Sequence, residues 1–471
     1  MYRYSGKNYR PFTAICDCRF GRRIIYTNQD AITQENILDE LAKALPLHEA
    51  NAAEIEYLDR YYRGDQPILY RKKDIRPEVN NKVVENLAMF IVDTKTSEMV
   101  GEPIQYVLRS TDKTKSEEVS KLNAIMENED KSYHDIELCR WRSICGTGYR
   151  YVGKKEGEDA RPNEPSFYLS TEHPAYTFVV YFERSGKPAF SCQIGKTNDN
   201  RIEYFCFTKS FWFRIVDWEI EEFGINGNGA IPVIEYPNNA RRISDIEISI
   251  SITDNINVMA SDRANGIEQH VSSWIKFINC TVDEDSFRKM RHEGALVVKS
   301  SGSDVKADVD ILSNELVQSE SQIAVNDLFE KLLIIHGLAD RQTNTGGDTG
   351  SAVTLRNGFY SMEKRSELSE PILKKAERDM LRIVLNRLRV DEVLTLQPVD
   401  IEIKISRTKS DNMQLKAQVL QMLLQSGINP ERAIKTIGLF ADPEQVAIES
   451  QKRMEMLYPE NENINQSLVK T

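Results

Sequence analysis

Between residues 31 and 62 apolar side chains recur at helical spacing, through Ile32, Ile37, Leu38, Leu41, Ala44 and Leu45, with Thr33, Gln34 and Glu35 supplying polar starting chemistry. The period predicts helix there, with a second helix from Ala50 to about Arg63 that Gly64 stops. A polar and basic connector, Pro67 to Asn81, leads to an amphipathic helix over 82–100. Its stripe is Val83, Leu87, Phe90, Ile91 and Met99, and Gly101 and Pro103 terminate it. From Thr111 to Lys131 charge dominates, and Val119, Leu122, Ile125 and Met126 keep one apolar stripe.

The period then changes. Over residues 147–236, short alternating runs rich in aromatic and β-branched residues (Phe167 to Leu169, Thr177 to Tyr181, Ala189 to Ile194, Ile202 to Phe207, Phe211 to Val216) are separated by Gly, Pro and Asn turns, which predicts an antiparallel sheet module. Residues 244–272 satisfy both periods. Ile246, Ile248, Ile250 and Ile252 alternate like a strand, whereas Ile252, Ile256, Met259, Ile267, Val271 and Trp274 fall on a helical stripe, and length favours helix. A β-rich insert follows (Trp274 to Ile278, Ala295 to Lys299, Val309 to Leu312), then a helix over 321–338.

Asp340 to Gly350 is a polar, Gly-rich loop, and behind it a long helical stretch runs from Ser351 to about Asp391, with a kink expected at Pro371 because proline removes a helical hydrogen bond. A strand over Val399 to Ile405 and helices over 411–425, 430–437 and 443–456 complete the chain. No internal repeat is visible, and the element order is that of an α+β protein.

A length of 471 residues implies two or more folding units. The net charge of −11 argues against a protein that binds DNA by neutralising phosphates, and suits one that must let DNA slide past. Seven cysteines without framework spacing point to a reducing compartment, and Cys16 with Cys18, the only close pair, lacks the second pair a zinc site needs. No run approaches the roughly 20 apolar residues of a membrane span. The basic start (Arg3, Lys7, Arg10, Arg19, Arg22, Arg23) has no apolar run after it and reads as an arm, solvated or docked on an acidic neighbour.

Catalytic chemistry has little foothold. The loop at 340–350 lacks the lysine of a phosphate-gripping loop, and Gly146, Gly148 and Gly153 read as turn and packing glycines. Six dispersed histidines include no pair four apart, and no nucleophile motif is present, so no catalytic residue, metal or cofactor is expected. Asp283, Glu284, Asp285, Arg288, Lys289, Arg291 and Glu293 form a mixed charge cluster, either a solvated face or a protein docking surface.

Residues 80–104, NNKVVENLAMFIVDTKTSEMVGEPI, resemble the signature of the portal proteins of tailed phages of Gram-positive bacteria, the family typified by the portal of phage SPP1. The matching positions are Asn80, Asn81, Val92, Asp93, Thr94, Lys95, Gly101, Pro103 and Ile104. Further likenesses follow in order at Cys145 to Tyr149, at Ile231 to Asn239, at Asp245, Asp254, Asn257, Ser261 and Asp262, and at Gly350, Ser351 and Ala352. The resemblance spans about residues 50 to 455. The strand-like run Ile246 to Ile252 departs from it, and the basic arm has no counterpart in it.

The resemblance implies a portal fold with mainly helical wing, stem and crown, a β-rich wing module and a small β-containing clip, assembled as a ring of about twelve subunits. It implies an N-terminal arm (1–30), a wing (31–243, with the sheet module over about 147–236), stem helices (244–272 and 321–338), a clip (273–320), a tunnel loop (339–350), a long wing helix (351–391) and a crown with C-terminal tail (392–471). Double-stranded DNA would pass the loop residues Arg341, Gln342, Thr343, Asn344, Thr345, Gly346, Gly347, Asp348 and Thr349 without sequence specificity. The clip cluster, Asp283, Glu284, Asp285, Arg288, Lys289 and Arg291, would dock the terminase large subunit and later head-completion or adaptor proteins, with capsid and scaffold proteins as further partners. The alternatives are another phage head structural protein, such as a minor head protein, and a cytosolic enzyme with an unrecognised site.

Overall fold

The structure, a computed structural model, describes residues 21–74, 77–109, 113–155, 165–271, 274–278, 280–281, 299–300, 308–312, 318–338, 359–405, 413–437, 446–450 and 452–453. The chain opens with β1 (Ile25–Thr27), α1 (Ile37–Tyr62), α2 (Leu87–Val100), β2 (Gln105–Leu108), α3 (Lys113–Asn128) and α4 (Lys131–Cys145). Strands then follow as β3 (Thr147–Lys154), β4 (Phe167–Glu172), β5 (Thr177–Phe182), β6 (Pro188–Lys196), β7 (Ile202–Thr208), β8 (Phe211–Val216), β9 (Glu219–Ile225) and β10 (Val233–Pro237). After α5 (Ile250–Val271) come β11 (Trp274–Ile278), β12 (Cys280–Thr281), β13 (Lys299–Ser300), β14 (Asp308–Leu312) and α6 (Gln318–His336). The remaining elements are α7 (Phe359–Val390), β15 (Ile401–Lys404), α8 (Met413–Gln425) and α9 (Pro430–Ile437).

The chain divides into two units, the larger made of Met1–Arg63, Ala88–Ile248 and His336–Thr471, the smaller of Gly64–Leu87 and Ser249–Ile335. In the larger unit a six-stranded sheet has the order β1-β5-β6-β7-β8-β9, antiparallel except that β1 joins β5 in parallel. Helix α1 covers this sheet. Ile37, Leu41, Ala44 and Leu45 form one buried cluster with Phe178, Val180, Phe190, Cys192, Phe213 and Ile215. A second sheet, β10-β3-β4, shares the largest core with α3, α4 and α7, through Leu122, Leu138, Phe167, Tyr236, Met380, Val384 and Leu388. The pair β2 and β15 joins residues nearly 300 positions apart in register Leu108↔Ile401.

Several expectations are corrected. The two helices expected between 31 and 63 are one, running through Pro46 to end where Gly64 adopts φ +91°. Proline costs about 3 kcal/mol in a helix interior. Buried Ile37, Leu41 and Leu45 before it and Ile55, Leu58 and Tyr61 after it each return about 1.5–3 kcal/mol by leaving water. The helix expected from residue 82 begins only at Leu87, after Asn86 at φ +35°. The expected sheet module is two sheets, and α4 carries no earlier expectation. Part of the presumed arm is built in, since Ile25–Thr27 is a sheet strand and Arg22 is buried.

The ambiguous run resolves as helix, but from Ile250 rather than 244, and Ile246 is buried while Ile248 is exposed, so the two do not share a face as strand neighbours two apart would. Strands β11 and β14 pair antiparallel from Trp274↔Leu312 to Ile278↔Asp308, and β12 pairs with β13. The helix expected over 321–338 spans Gln318–His336. The long C-terminal helix is described over Phe359–Val390, with Pro371 inside it.

Candidate functional site

Three of the residues that carried the resemblance in the smaller unit, Asn81, Asn257 and Ser261, come together in one hydrogen-bonded ladder. Asn257, Ser261 and Asn265 recur every fourth residue along α5 and are almost fully buried. Their side-chain oxygens accept from the backbone N–H groups of Glu85 (3.0 Å), Val83 (2.9 Å) and Asn81 (2.7 Å) respectively. Four helical residues rise about 6 Å and two extended residues about 6.6 Å, so the two periods stay in step over three rungs. A segment without strand partners thus satisfies its amides from a helix. The Asn257 amide also donates to Gln66 Oε1 (2.5 Å), Asn81 donates to Glu268 (2.6 Å), and Arg71 pairs with Asp262 (2.8 Å). The sequence reading named Asn81, Asn257, Ser261 and Asp262 but missed Asn265 and Gln66; the four-residue spacing of small polar residues in α5 was the available signal.

The larger unit holds its core with charge instead. Glu377 of α7 is fully buried and meets Lys131 Nζ at 2.7 Å and Arg150 Nη1 at 3.6 Å, and accepts from the hydroxyls of Tyr106 (2.6 Å) and Tyr236 (2.9 Å). Asp135 takes the other faces of the same cations, at 2.5 Å from Lys131 and 2.6 Å from Arg150. Burial alone would raise the Glu377 carboxyl, but Lys131 and Arg150 outweigh it and bring it to about 2. Two cations and two carboxylates leave the cluster neutral, the condition under which buried charge is tolerated.

The roots of the 339–358 segment also lie in the larger unit. Gly337, just after α6, adopts φ +64°, and a Cβ there would sit 2.4 Å from Arg365 Cδ of α7, so the arginine packs directly on the glycine. His336 beside it is buried and its pKa is lowered to about 3, first by burial, then by Lys95, with Arg365 adding to the effect and Asp245 opposing it. Asp245 is held by Lys95 (2.6 Å) and by the Ser143 hydroxyl (2.7 Å), which outweigh the raising effect of burial and lower its pKa. A related junction lies at Cys145 to Tyr149. Gly146 ends α4 at φ +84°, and a Cβ there would lie 2.0 Å from the Arg242 carbonyl, a place only glycine can occupy.

The expected tunnel-loop residues, Arg341 to Thr349, and the expected docking cluster, Asp283, Glu284, Asp285, Arg288, Lys289 and Arg291, lie outside the described residues. Among the described residues no group of three or more His, Cys, Asp and Glu side chains is placed to hold a metal ion, and no helix is long and apolar enough to cross a membrane.

The family profile described as "Phage portal protein, SPP1 Gp6-like" matches residues 42–459. The chain belongs to this phage portal protein family. It is therefore a bacteriophage protein of the head-to-tail connector, with the mixed helix and sheet architecture described above. No curated protein matches this portal-family chain. Among solved structures, "Neck of empty GTA particle computed with C6 symmetry" matches at TM-score 0.44 and 11% identity, over 75% of this chain and 90% of that one.

Proposed function

We propose that this portal-family protein forms the ring at one capsid vertex through which double-stranded DNA is packaged and ejected, acting without catalysis of its own. The family match across residues 42–459 carries this reading. On it, 31–243 and the long helix 351–391 belong to the wing, 244–272 and 321–338 to the stem, 273–320 to the clip and 392–471 to the crown and tail. About twelve copies close the ring, because repeated head-to-tail contacts close at a number set by geometry. The clip faces the terminase large subunit during packaging and head-completion proteins afterwards, and the outer surface meets capsid and scaffold.

The charge balance supports this reading. The chain carries 72 acidic against 61 basic residues, and in α6 Glu320, Asp327 and Glu330 outnumber Lys331. A surface that held every phosphate would stall translocation by counterion release. In the loop at 340–350, Gln342, Thr343, Asn344, Thr345 and Thr349 offer weak polar contacts, Arg341 and Asp348 offset one another, and Gly346, Gly347 and Gly350 supply hinges. Negative-stain electron microscopy of the purified protein is the test: rings with a central hole of roughly 20 Å or more are expected, and a uniform monomer at high concentration would favour the minor head protein. Gly346→Pro with Gly347→Pro should block packaging while leaving rings intact, and normal DNA filling would remove the loop from the mechanism.

A further inference from the structure

The six-stranded sheet ends in an edge that folded chains seldom leave open. Strand β9 is seven residues long and pairs with β8 on one side only among the described strands. Phe223 is 54% exposed and Ile225 80% exposed. A long apolar edge is a template for another strand unless bulges, proline or charge blunt it. Here the register shift opposite Arg214 and Ile215 lies at the beginning of β9 and leaves Glu222 to Ile225 regular, and the strand contains no proline.

The remaining guard is acidic. Strand β9 carries Glu219, Glu221 and Glu222 and no lysine or arginine. Arg214 is shared by Glu203 (3.0 Å), Glu221 (2.9 Å) and Glu222 (3.0 Å), and Glu221 also lies 3.9 Å from Arg201, so the acids of this edge outnumber the guanidiniums that face them. Such an edge repels a copy of itself and favours a basic strand.

The chain supplies one. Residues 1–20 contain Arg3, Lys7, Arg10 and Arg19 against the single acid Asp17, and the run Phe12 to Cys16 is composed of strand-favouring and small residues. The residues that follow this segment are fixed at the opposite edge of the same sheet. Arg22 is buried against Glu54 (3.2 Å) and Glu247, and Ile25–Thr27 is the other edge strand, β1. Twenty residues span at most about 70 Å when extended, more than the roughly 24 Å between the two edges of a six-stranded sheet.

We propose that the β9 edge is the docking site for the basic N-terminal segment, residues 1–20, of a neighbouring copy of this chain, added as an extra strand. The inference rests on the ring reading above. A head-to-tail ring brings two different surfaces of successive copies together, and the two opposite edges of one sheet are such a pair. The arm of one copy then reaches the next copy's β9 without crossing its own sheet.

In a Cys280→Ser background the native thiols Cys16 and Cys18 make the contact testable in the full-length assembled protein, because the other four thiols, Cys139, Cys145, Cys192 and Cys206, are all buried. The variant Ile225→Cys, treated with a short bismaleimide, should yield a ladder of multi-chain products on a denaturing gel. The ladder should be lost when Cys16→Ser and Cys18→Ser are added. Charge reversal by Glu219→Lys, Glu221→Lys and Glu222→Lys should also abolish it, and the added changes Arg3→Glu, Lys7→Glu and Arg10→Glu should restore it. Rings that form normally but give only single-chain products, or none, or a charge reversal without effect, would overturn the arm contact and leave the portal reading standing. Chains that form no ring at all would fail both.

Discussion

The two units solve the same problem, a polar group that must be buried, with different chemistry. In the larger unit Lys131, Asp135, Arg150 and Glu377 interlock as full charges at a meeting of α4, β3 and α7. In the smaller unit Asn257, Ser261 and Asn265 hold the 81–85 backbone with neutral hydrogen bonds. The difference teaches what each arrangement is sensitive to. Removing one ion leaves its partners charged and desolvated, so the charged cluster is specific and brittle. The neutral ladder loses its rungs one at a time and does not titrate.

The sharpest break of that comparison is Glu377→Leu. It strands Lys131 and Arg150 on Asp135 alone and removes the acceptor of two buried tyrosine hydroxyls, so a destabilisation of about 3–5 kcal/mol is expected in denaturant unfolding of the full chain. An effect below about 1 kcal/mol would show that the cluster is no more than an exposed ion pair in strength.

Acid separates the units next. The Glu377 carboxyl lies at about 2 in the fold against an ordinary 4.5, so its contribution is complete above about pH 4.5 and is lost as pH falls toward 2. On the order of 3 kcal/mol is at stake. Hydrogen exchange at pH 7 and pH 3 should show faster opening of peptides containing Lys131, Arg150 and Glu377 at the lower pH, after correction for intrinsic rates. Amides of Asn81, Val83 and Glu85 should change less, and equal loss in both would refute the contrast.

A smaller loss is expected for Asn257→Ala, about 1–3 kcal/mol for the buried groups it leaves unsatisfied. The local readout is faster exchange at the Glu85 amide, with the Asn81 rung least affected. The smallest effect belongs to Arg71→Gln. Its partner Asp262 is half exposed, so no more than about 1 kcal/mol should be lost, and half-molar salt should reduce even that.

The legibility of these regions in the sequence follows from how local their causes are. Helices α6 and α9 and strands β5 to β8 were readable because their apolar period runs unbroken within one element. Helix α1 was misdivided at its middle, since the groups that carry the chain through Pro46 are side chains of β5, β6 and β8. The start of α5 was misplaced by six residues because Ile246 and Ile250 are buried by neighbours that the alternating run could not name. Of the candidate site, Asn81, Asn257, Ser261 and Asp262 were found through a resemblance, whereas Asn265 and Gln66 were not.

By itself the sequence determined the α+β composition, the period of most elements, the absence of familiar catalytic motifs and the resemblance that the family match then bore out. Only the tertiary structure decided that Glu377 belongs with Lys131 and Arg150, that Asn265 faces Asn81, and that Gly337 lies under Arg365. Those pairings join residues from 28 to 246 positions apart. Periodicity reports which face of an element is apolar. Which distant charge neutralises a buried one depends on how the elements meet, because at such separations it is the packing, and not the local chain, that sets the distance.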